Sequence, residues 1–375
     1  MDNIKICVYA ICKNESKFIK KWLNSVKEAD YICVLDTGST DNSVELLKEA
    51  NVILGEKKFT NFRFDEARNE SLKLIPDDTD VCISIDLDEV LLPGWKDAIK
   101  KVWQKDTTRL RYIYNWSLDE FDNPRVSFYQ DKIHSLKGYK WVNPVHEILS
   151  YQNGEEHFVT TDELIINHYP DATKSRGSYL SLLELSIKED PENDRNTHYL
   201  GREYMYYRKW DKAIETLKKH LTLKRAVWKD ERSASMRFIA RSYLGLNDET
   251  NAIYWYKEAA KEAPHLRDPL VELALLYYQK EDWEEVIKYC NEALNIPINY
   301  KTYINEVFSF DETIDDLLSL AYYNTNQLVK AIEHAKKALE INPNNERIKN
   351  NLQIMQNKLL NWNAPIRVDT IKKQI

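Results

Sequence analysis

Over the first 170 residues, short apolar runs alternate with stretches in which apolar positions recur every three or four residues. IKICVYAI (4–11), YICVLD (31–36), NVILGE (51–56) and VCISID (81–86) are rich in β-branched residues and have strand length. SKFIKKWLNSVKEA (16–29), SVELLKEA (43–50) and FDEARNESLKLI (64–75) carry apolar residues at helical spacing. This alternation predicts βαβ units, hence a parallel sheet with helices on both faces. Ligands bind such sheets at the carboxyl ends of the strands. Asp36 closes the second predicted strand, and Asp86, Asp88 and Glu89 close the fourth. Carboxylates set in so apolar a run call for a partner, because an unpaired charge taken out of water is costly.

From about residue 195 the strand pattern stops and a repeat begins. Anchored on Pro264 and Pro343, segments align on a helix-turn-helix template of about 34 residues. One carries Ile239, Ala240, Tyr243, Ala252, Tyr256 and Ala259; another carries Leu318, Ser319, Tyr322, Ala331, Ala335 and Ala338. Two looser copies carry Leu200, Gly201, Tyr204, Ala213 and Leu217, then Leu273, Ala274, Tyr277, Val286, Cys290 and Ala293. Small residues let paired helices approach while the aromatic fills the groove, so neighbouring repeats bury one core. These four copies resemble tetratricopeptide repeats. An insertion, 299–312, lengthens the loop before the last repeat and is expected to line the concave face. The predicted organisation is a domain over 1–170, a linker helix over 171–194, about four repeats over 195–360 and a tail over 361–375.

Composition narrows the function. The 375 residues include 53 Lys and Arg against 60 Asp and Glu, a net charge of −7, which argues against a large nucleic-acid footprint. The five cysteines show no CxxC or Cys/His spacing and read as reduced core residues. The N-terminal residues MDNIKICVYAICKNE lack the apolar core and cleavage site of a signal peptide, and no run reaches the length of a membrane span. A cytoplasmic location is expected.

The candidate chemistry lies at the predicted strand ends. The first ends in AICKNESKFIKKWLNSV, the second in LDTGSTD; a helix contains DEARNESL, and the fourth strand ends in IDLDE. That ordered set resembles the nucleotide-sugar domain of family 2 glycosyltransferases. KGYKWVNPVHEIL, LIINHYP and the repeats extend the resemblance to a subgroup that includes the peptide S-glycosyltransferases of glycocin biosynthesis, with 105–140 matching loosely. The fold expected is an α/β N-terminal GT-A (Rossmann-like nucleotide-sugar) domain followed by an all-α tetratricopeptide-repeat solenoid.

The resemblance implies roles for particular residues. Asp88 would hold Mn2+ or Mg2+ against the donor diphosphate, with Asp86 on the ribose or the same cation and His168 completing the metal site. Two residues apart on a strand, Asp86 and Asp88 are expected to point to one side, where a hard cation takes oxygen ligands. Asp36 would contact the base or ribose, although its neighbour is Thr37 where many members carry a second acid. Asn14 and Glu15 would line the nucleotide pocket. Arg68 would reach the base or phosphates, the alternative being a salt bridge to Asp65 or Glu66. Glu147 is favoured as the base that activates the acceptor, with His146 the alternative. Trp141 is either a sugar-stacking or a core residue.

The reaction implied is a single in-line displacement with inversion from a UDP-sugar donor. The repeat surface suits a peptide or protein acceptor. A second reading has a saccharide or lipid-linked acceptor, with the repeats used for homodimerisation; a third is an inactive interaction scaffold. A haloacid-dehalogenase-type phosphatase would use Asp86 as nucleophile and Asp88 as acid, but the Gly-Asp pair it needs occurs nowhere in the chain. A nucleotidyltransferase is disfavoured because ICKNE takes the place of a Gly-rich phosphate loop.

Overall fold

The computed structural model describes residues 4–171, 177, 179–298 and 302–360; the tail 361–375 and the start of the insertion lie outside them. The chain divides into two compact units, the first running to Pro191 and taking in 302–303, the second beginning at Glu192 and resuming at Ile304.

The first unit is built on ten strands: β1 (Ile6–Cys12), β2 (Tyr31–Asp36), β3 (Ile53–Glu56), β4 (Val81–Ser84), β5 (Glu89–Leu91), β6 (Arg109–Leu118), β7 (Pro124–Ser135), β8 (Tyr139–Val142), β9 (Ile148–Tyr151) and β10 (Phe158–His168). Eight form one sheet in the order β3-β2-β1-β4-β7-β6-β10-β5, and β8 and β9 form a separate antiparallel pair. β1 to β4 run parallel, and the helices α1 (Ser16–Val26), α2 (Ser43–Glu49) and α3 (Phe64–Leu72) connect them. Residues 6–10 of β1 and all of β4 are buried, as strands covered on both faces must be. On α1 the buried residues are Ile19, Trp22 and Val26, one stripe of an amphipathic helix. The strand order reverses between β1 and β4, which makes their carboxyl ends a topological switch point.

The four strands expected to run parallel do so, and beyond β4 the sheet becomes mixed. β7 joins β4 antiparallel and pairs with β6 antiparallel, so residues 109–135 form a long hairpin laid along the sheet. β10 is parallel to β6 and antiparallel to β5. β6 and β7 interrupt their alternation at irregular pairings, which hides the strand period in the sequence. β4 also stops at Ser84, so Asp86 to Asp88 lie in a turn and do not alternate along a strand. The turn closes through the Glu89 N–H donating to the Asp86 carbonyl, 3.0 Å. Two further helices, α4 (Trp95–Val102) and α5 (Tyr179–Glu189), complete the unit.

The second unit is a run of helix pairs: α6 (Asp194–Tyr206) with α7 (Trp210–Thr222), α8 (Lys229–Gly245) with α9 (Glu249–Glu262), α10 (Asp268–Gln279) with α11 (Trp283–Leu294), and α12 (Thr313–Asn324) with α13 (Leu328–Ile341), followed by α14 (Glu346–Leu360). The turn inside each pair contains one left-handed residue, successively Arg208, Asn247, Glu281 and Asn326. The same reversal thus recurs whether or not the residue favours that backbone. Asn193, Asp248 and Asp282 cap α6, α9 and α11 by accepting the N–H three residues on. Among the described residues no helix is long and apolar enough to cross a membrane.

Gly201 is where α6 and α7 come closest, since an added Cβ would lie 2.4 Å from Leu217 Cγ, and Leu217 is fully buried. Gly201→Val is expected to destabilise the repeat unit by about 1–3 kcal/mol, read as a lower urea midpoint of the helical circular dichroism. An unchanged midpoint would show that the pair opens without cost.

Candidate active site

Three loops meet at the carboxyl ends of β1, β2 and β4. The first two are stitched together by side chains. The Asn14 N–H donates to Ser39 Oγ (2.8 Å), Asn14 Oδ1 accepts from the Thr40 N–H (2.7 Å), and the Glu15 N–H donates to Ser43 Oγ (2.9 Å). Asn14 has φ 56°, a left-handed backbone that Asn tolerates well. Asp36 is 2% exposed. Its Oδ1 accepts from the N–H groups of Gly38 (2.8 Å) and Ser39 (2.9 Å), and Oδ2 accepts from the Ser39 hydroxyl. The turn at Gly38, φ 109°, thus takes up the carboxylate expected to contact base or ribose.

At the end of β4 the acids have the partners that their setting requires. Arg68, on α3 and 4% exposed, donates from Nη2 to Asp86 (2.9 and 3.2 Å) and from Nε to Glu147. Its guanidinium also lies 5.0 Å from the centre of the Trp141 ring. The alternative pairing of Arg68 with Asp65 or Glu66 is not adopted; Arg63 takes both acids. Lys132, from β7, stands 3.9 Å from both Asp86 and Glu89. Burial would push the Asp86 carboxyl up, but the charges of Arg68 and Lys132 overcome it and hold it down at about 2. Glu89 goes the other way: burial, with the Asp86 charge beside it, outweighs Lys132 and raises it. Glu89 also accepts hydrogen bonds from the Tyr114 hydroxyl (2.7 Å) and the Asp86 N–H (2.8 Å).

Asp88, two residues after Asp86 in the same turn, meets β10. The Tyr169 N–H donates to the Asp88 carbonyl (2.8 Å), and His168 Nε2 stands 3.7 Å from Asp88 Oδ2. The other ring nitrogen, Nδ1, is 3.1 Å from the Trp116 carbonyl. A carbonyl only accepts, so Nδ1 carries the proton and Nε2 is left to share a ligand with Asp88. This is the arrangement by which a backbone carbonyl fixes a metal-binding imidazole. Burial lowers the His168 imidazole, but the hydrogen bond and charge of Asp88, then Glu89, raise it overall. Trp116 stacks on His168 at 4.8 Å and keeps its ring 46% exposed. Among the described residues no three His, Cys, Asp or Glu side chains form a metal-holding group, so Asp88 and His168 offer a pair.

The predicted site residues thus fall into three sets: Asn14, Glu15 and Asp36 in the stitched loops; Arg68, Asp86 and Glu147 in one ion-paired group; Asp88 and His168 in another. His146 has φ 50° and its ring tilts against Tyr179 at 5.9 Å. Trp141 is 1% exposed and donates from Nε1 to the Tyr9 hydroxyl (3.0 Å), so in this structure it packs in the core. Lys132, Tyr114 and Trp116 were not singled out by the sequence. All three lie on the β6–β7 hairpin, whose position beside β4 only the sheet topology reveals.

Arg68→Met is expected to destabilise the first unit by on the order of 3 kcal/mol, because it strands two carboxylates. The Asp86 contribution to stability is present above the ordinary carboxylate range and is lost as pH falls toward 2. Acid unfolding of Arg68→Met is therefore expected at higher pH than in the parent, and coincident acid transitions would contradict this.

Residues 7–153 match the model of glycosyl transferase family 2, and residues 316–345 match a tetratricopeptide repeat. The SPbeta prophage-derived glycosyltransferase SunS of Bacillus subtilis (strain 168) is 30% identical over 229 residues, covering 56% of this chain and 52% of that protein. The glycosyltransferase SunS of Bacillus phage SPbeta matches to the same extent, so the chain spans about half the length of these curated relatives. Among solved structures, the C-terminal part of a TPR repeat-containing protein from Cytophaga hutchinsonii matches with TM-score 0.40 and 17% identity, over 49% of this chain and 66% of that one. The chain therefore carries a glycosyl transferase family 2 domain at its N-terminus and tetratricopeptide repeats at its C-terminus.

Proposed function

We propose that the chain is a metal-dependent inverting glycosyltransferase that moves a sugar from a UDP donor to a peptide or protein acceptor. The observation that carries this reading is the Asp88–His168 pair, its imidazole tautomer fixed by the Trp116 carbonyl. Asp88 follows Asp86, the partner of Arg68 and Lys132, by two residues in the turn after β4. An oxygen and an imidazole nitrogen suit Mn2+ or Mg2+ when the donor diphosphate supplies the remaining ligands. Bound there, the cation supplies positive charge against the departing diphosphate.

The other residues divide the remaining work. The loops after β1 and β2 present backbone groups to the nucleotide, and Lys132 adds a positive charge near the diphosphate. Trp116 offers an open aromatic face to the sugar. In the transfer the acceptor attacks the anomeric carbon, the bond from that carbon to the diphosphate oxygen breaks, and the acceptor proton passes to Glu147. Arg68 aims that carboxylate, and orientation supplies much of the acceleration. His146, next in the chain and held in a left-handed backbone, lines the acceptor side. The repeat unit is what favours a peptide acceptor, because stacked helix pairs form extended surfaces that suit one.

Purified protein given UDP-glucose, UDP-N-acetylglucosamine, UDP-galactose or GDP-mannose with Mn2+ is expected to release nucleoside diphosphate from one UDP-sugar and to stop when the metal is chelated. Asp88→Asn is expected to lower release at least 100-fold. Glu147→Gln should lower acceptor-dependent transfer by about 10²–10⁴. Release that persists undiminished in Asp88→Asn, or under chelation, would overturn the metal-assisted reading.

A further inference from the structure

The repeat unit holds a short piece of its own chain on the first helices of its pairs. Between α11 and α12 the chain passes over α10 and α12 and forms a single 3-10 turn, Val307–Ser309. Just before that turn, Ile304, Asn305 and Glu306 are held by side chains of α8 and α10. Arg237 Nη2 donates to the Ile304 carbonyl (2.9 Å), and Arg241 Nη2 donates to the Glu306 carboxylate (2.7 Å). Asp268 accepts from the Asn305 side-chain amide (3.0 Å) with one oxygen and from the Glu306 N–H (2.6 Å) with the other.

The groups that do the holding are themselves fixed. Arg237 and Asp268 are fully buried, and Arg237 and Arg241 lie one helical turn apart on α8. Glu272 spaces the two guanidinium groups, accepting from Arg237 Nη1 (2.8 Å) and from Arg241 Nε and Nη2 (2.9 Å each). Four groups of three consecutive residues are thus read in order: a carbonyl, a carboxamide, an amide N–H and a carboxylate. None of the four contacts depends on the segment being joined to α11 and α12. A loop needing only to be packed would not require a buried arginine, a half-buried arginine and a buried aspartate aimed at its polar groups, given what burying such charges costs.

We infer that Arg237, Arg241 and Asp268 form a binding site for an extended acidic peptide of the pattern apolar-Asn-Glu, filled by residues 304–306 of the same chain. A peptide arriving from outside competes with that internal copy. Tethering gives the internal copy an effective concentration on the order of millimolar, so the site is closed to weak ligands until the internal contact is weakened. This site stands apart from the sugar-transfer chemistry and does not rest on it.

The test uses the full chain and a fluorescein-labelled peptide TYINEVF, a copy of residues 302–308, with binding read by anisotropy. Glu306→Ala removes the internal carboxylate and leaves the site intact, so it is expected to bind the peptide at least tenfold more tightly than the parent. A peptide with Gln in place of Glu should bind that variant at least tenfold more weakly. Asn305→Ala, which removes a second internal contact, should tighten binding in the same direction. Equal affinity for parent and variants, no binding to either variant, or indifference to the peptide carboxylate would overturn the site. So would loss of helical circular dichroism in both variants, which would make the segment an integral part of the core.

Discussion

The first unit is organised around a guanidinium that water scarcely reaches. Arg68 joins the end of β4, through Asp86, to the loop before β9, through Glu147, while its own helix lies against β1 and β8. Buried ion pairs add little net stability when they form, yet removing one partner leaves an uncompensated charge. The arrangement therefore fixes geometry more than it lowers energy: three elements distant in sequence meet only where both carboxylates reach one fork. The Trp141 indole beneath that fork, tied to Tyr9, completes the seat.

The two halves of the sheet contribute different chemistry. The parallel half brings together the loops after β1, β2 and β4, whose backbone N–H groups are tied by side chains of the same loops. The antiparallel half supplies side chains: Lys132 from β7, Trp116 and Tyr114 from β6, and His168 from β10. The pairing of β10 with β5 sets His168 opposite Glu89, which carries the imidazole to Asp88. A one-residue slip in that register would turn His168 to the other face. Metal chemistry in the proposed transfer thus depends on strand pairing more than on the local turn that holds the two aspartates.

Much of this was legible in the residues. The alternation of β-branched runs with amphipathic stretches marks β1 to β4 and the helices between them, and the recurrent small and aromatic positions mark the helix pairs. The acids after β4 announce a site because they are expensive where they stand. The hairpin of β6 and β7 was not legible, because irregular pairings break its period-two signal and nothing local specifies that β7 lies against β4. Lys132 and Trp116 were missed with it. The burial of Asp36 and Trp141 was not legible either, because the hydrogen bonds that hold them arise only in the folded chain. The apolar alternation around Asp86 likewise suggested a strand that runs on, although the chain turns after Ser84.

The central claim is that Asp88 and His168 hold a divalent cation against a nucleoside diphosphate. Calorimetric titration of UDP into the protein with and without Mn2+ tests it most directly. UDP is expected to bind at least tenfold more tightly with Mn2+, and that difference to be lost in His168→Ala with the fold intact. UDP affinity that is indifferent to Mn2+ in the parent, or a metal effect unchanged in His168→Ala, would contradict it.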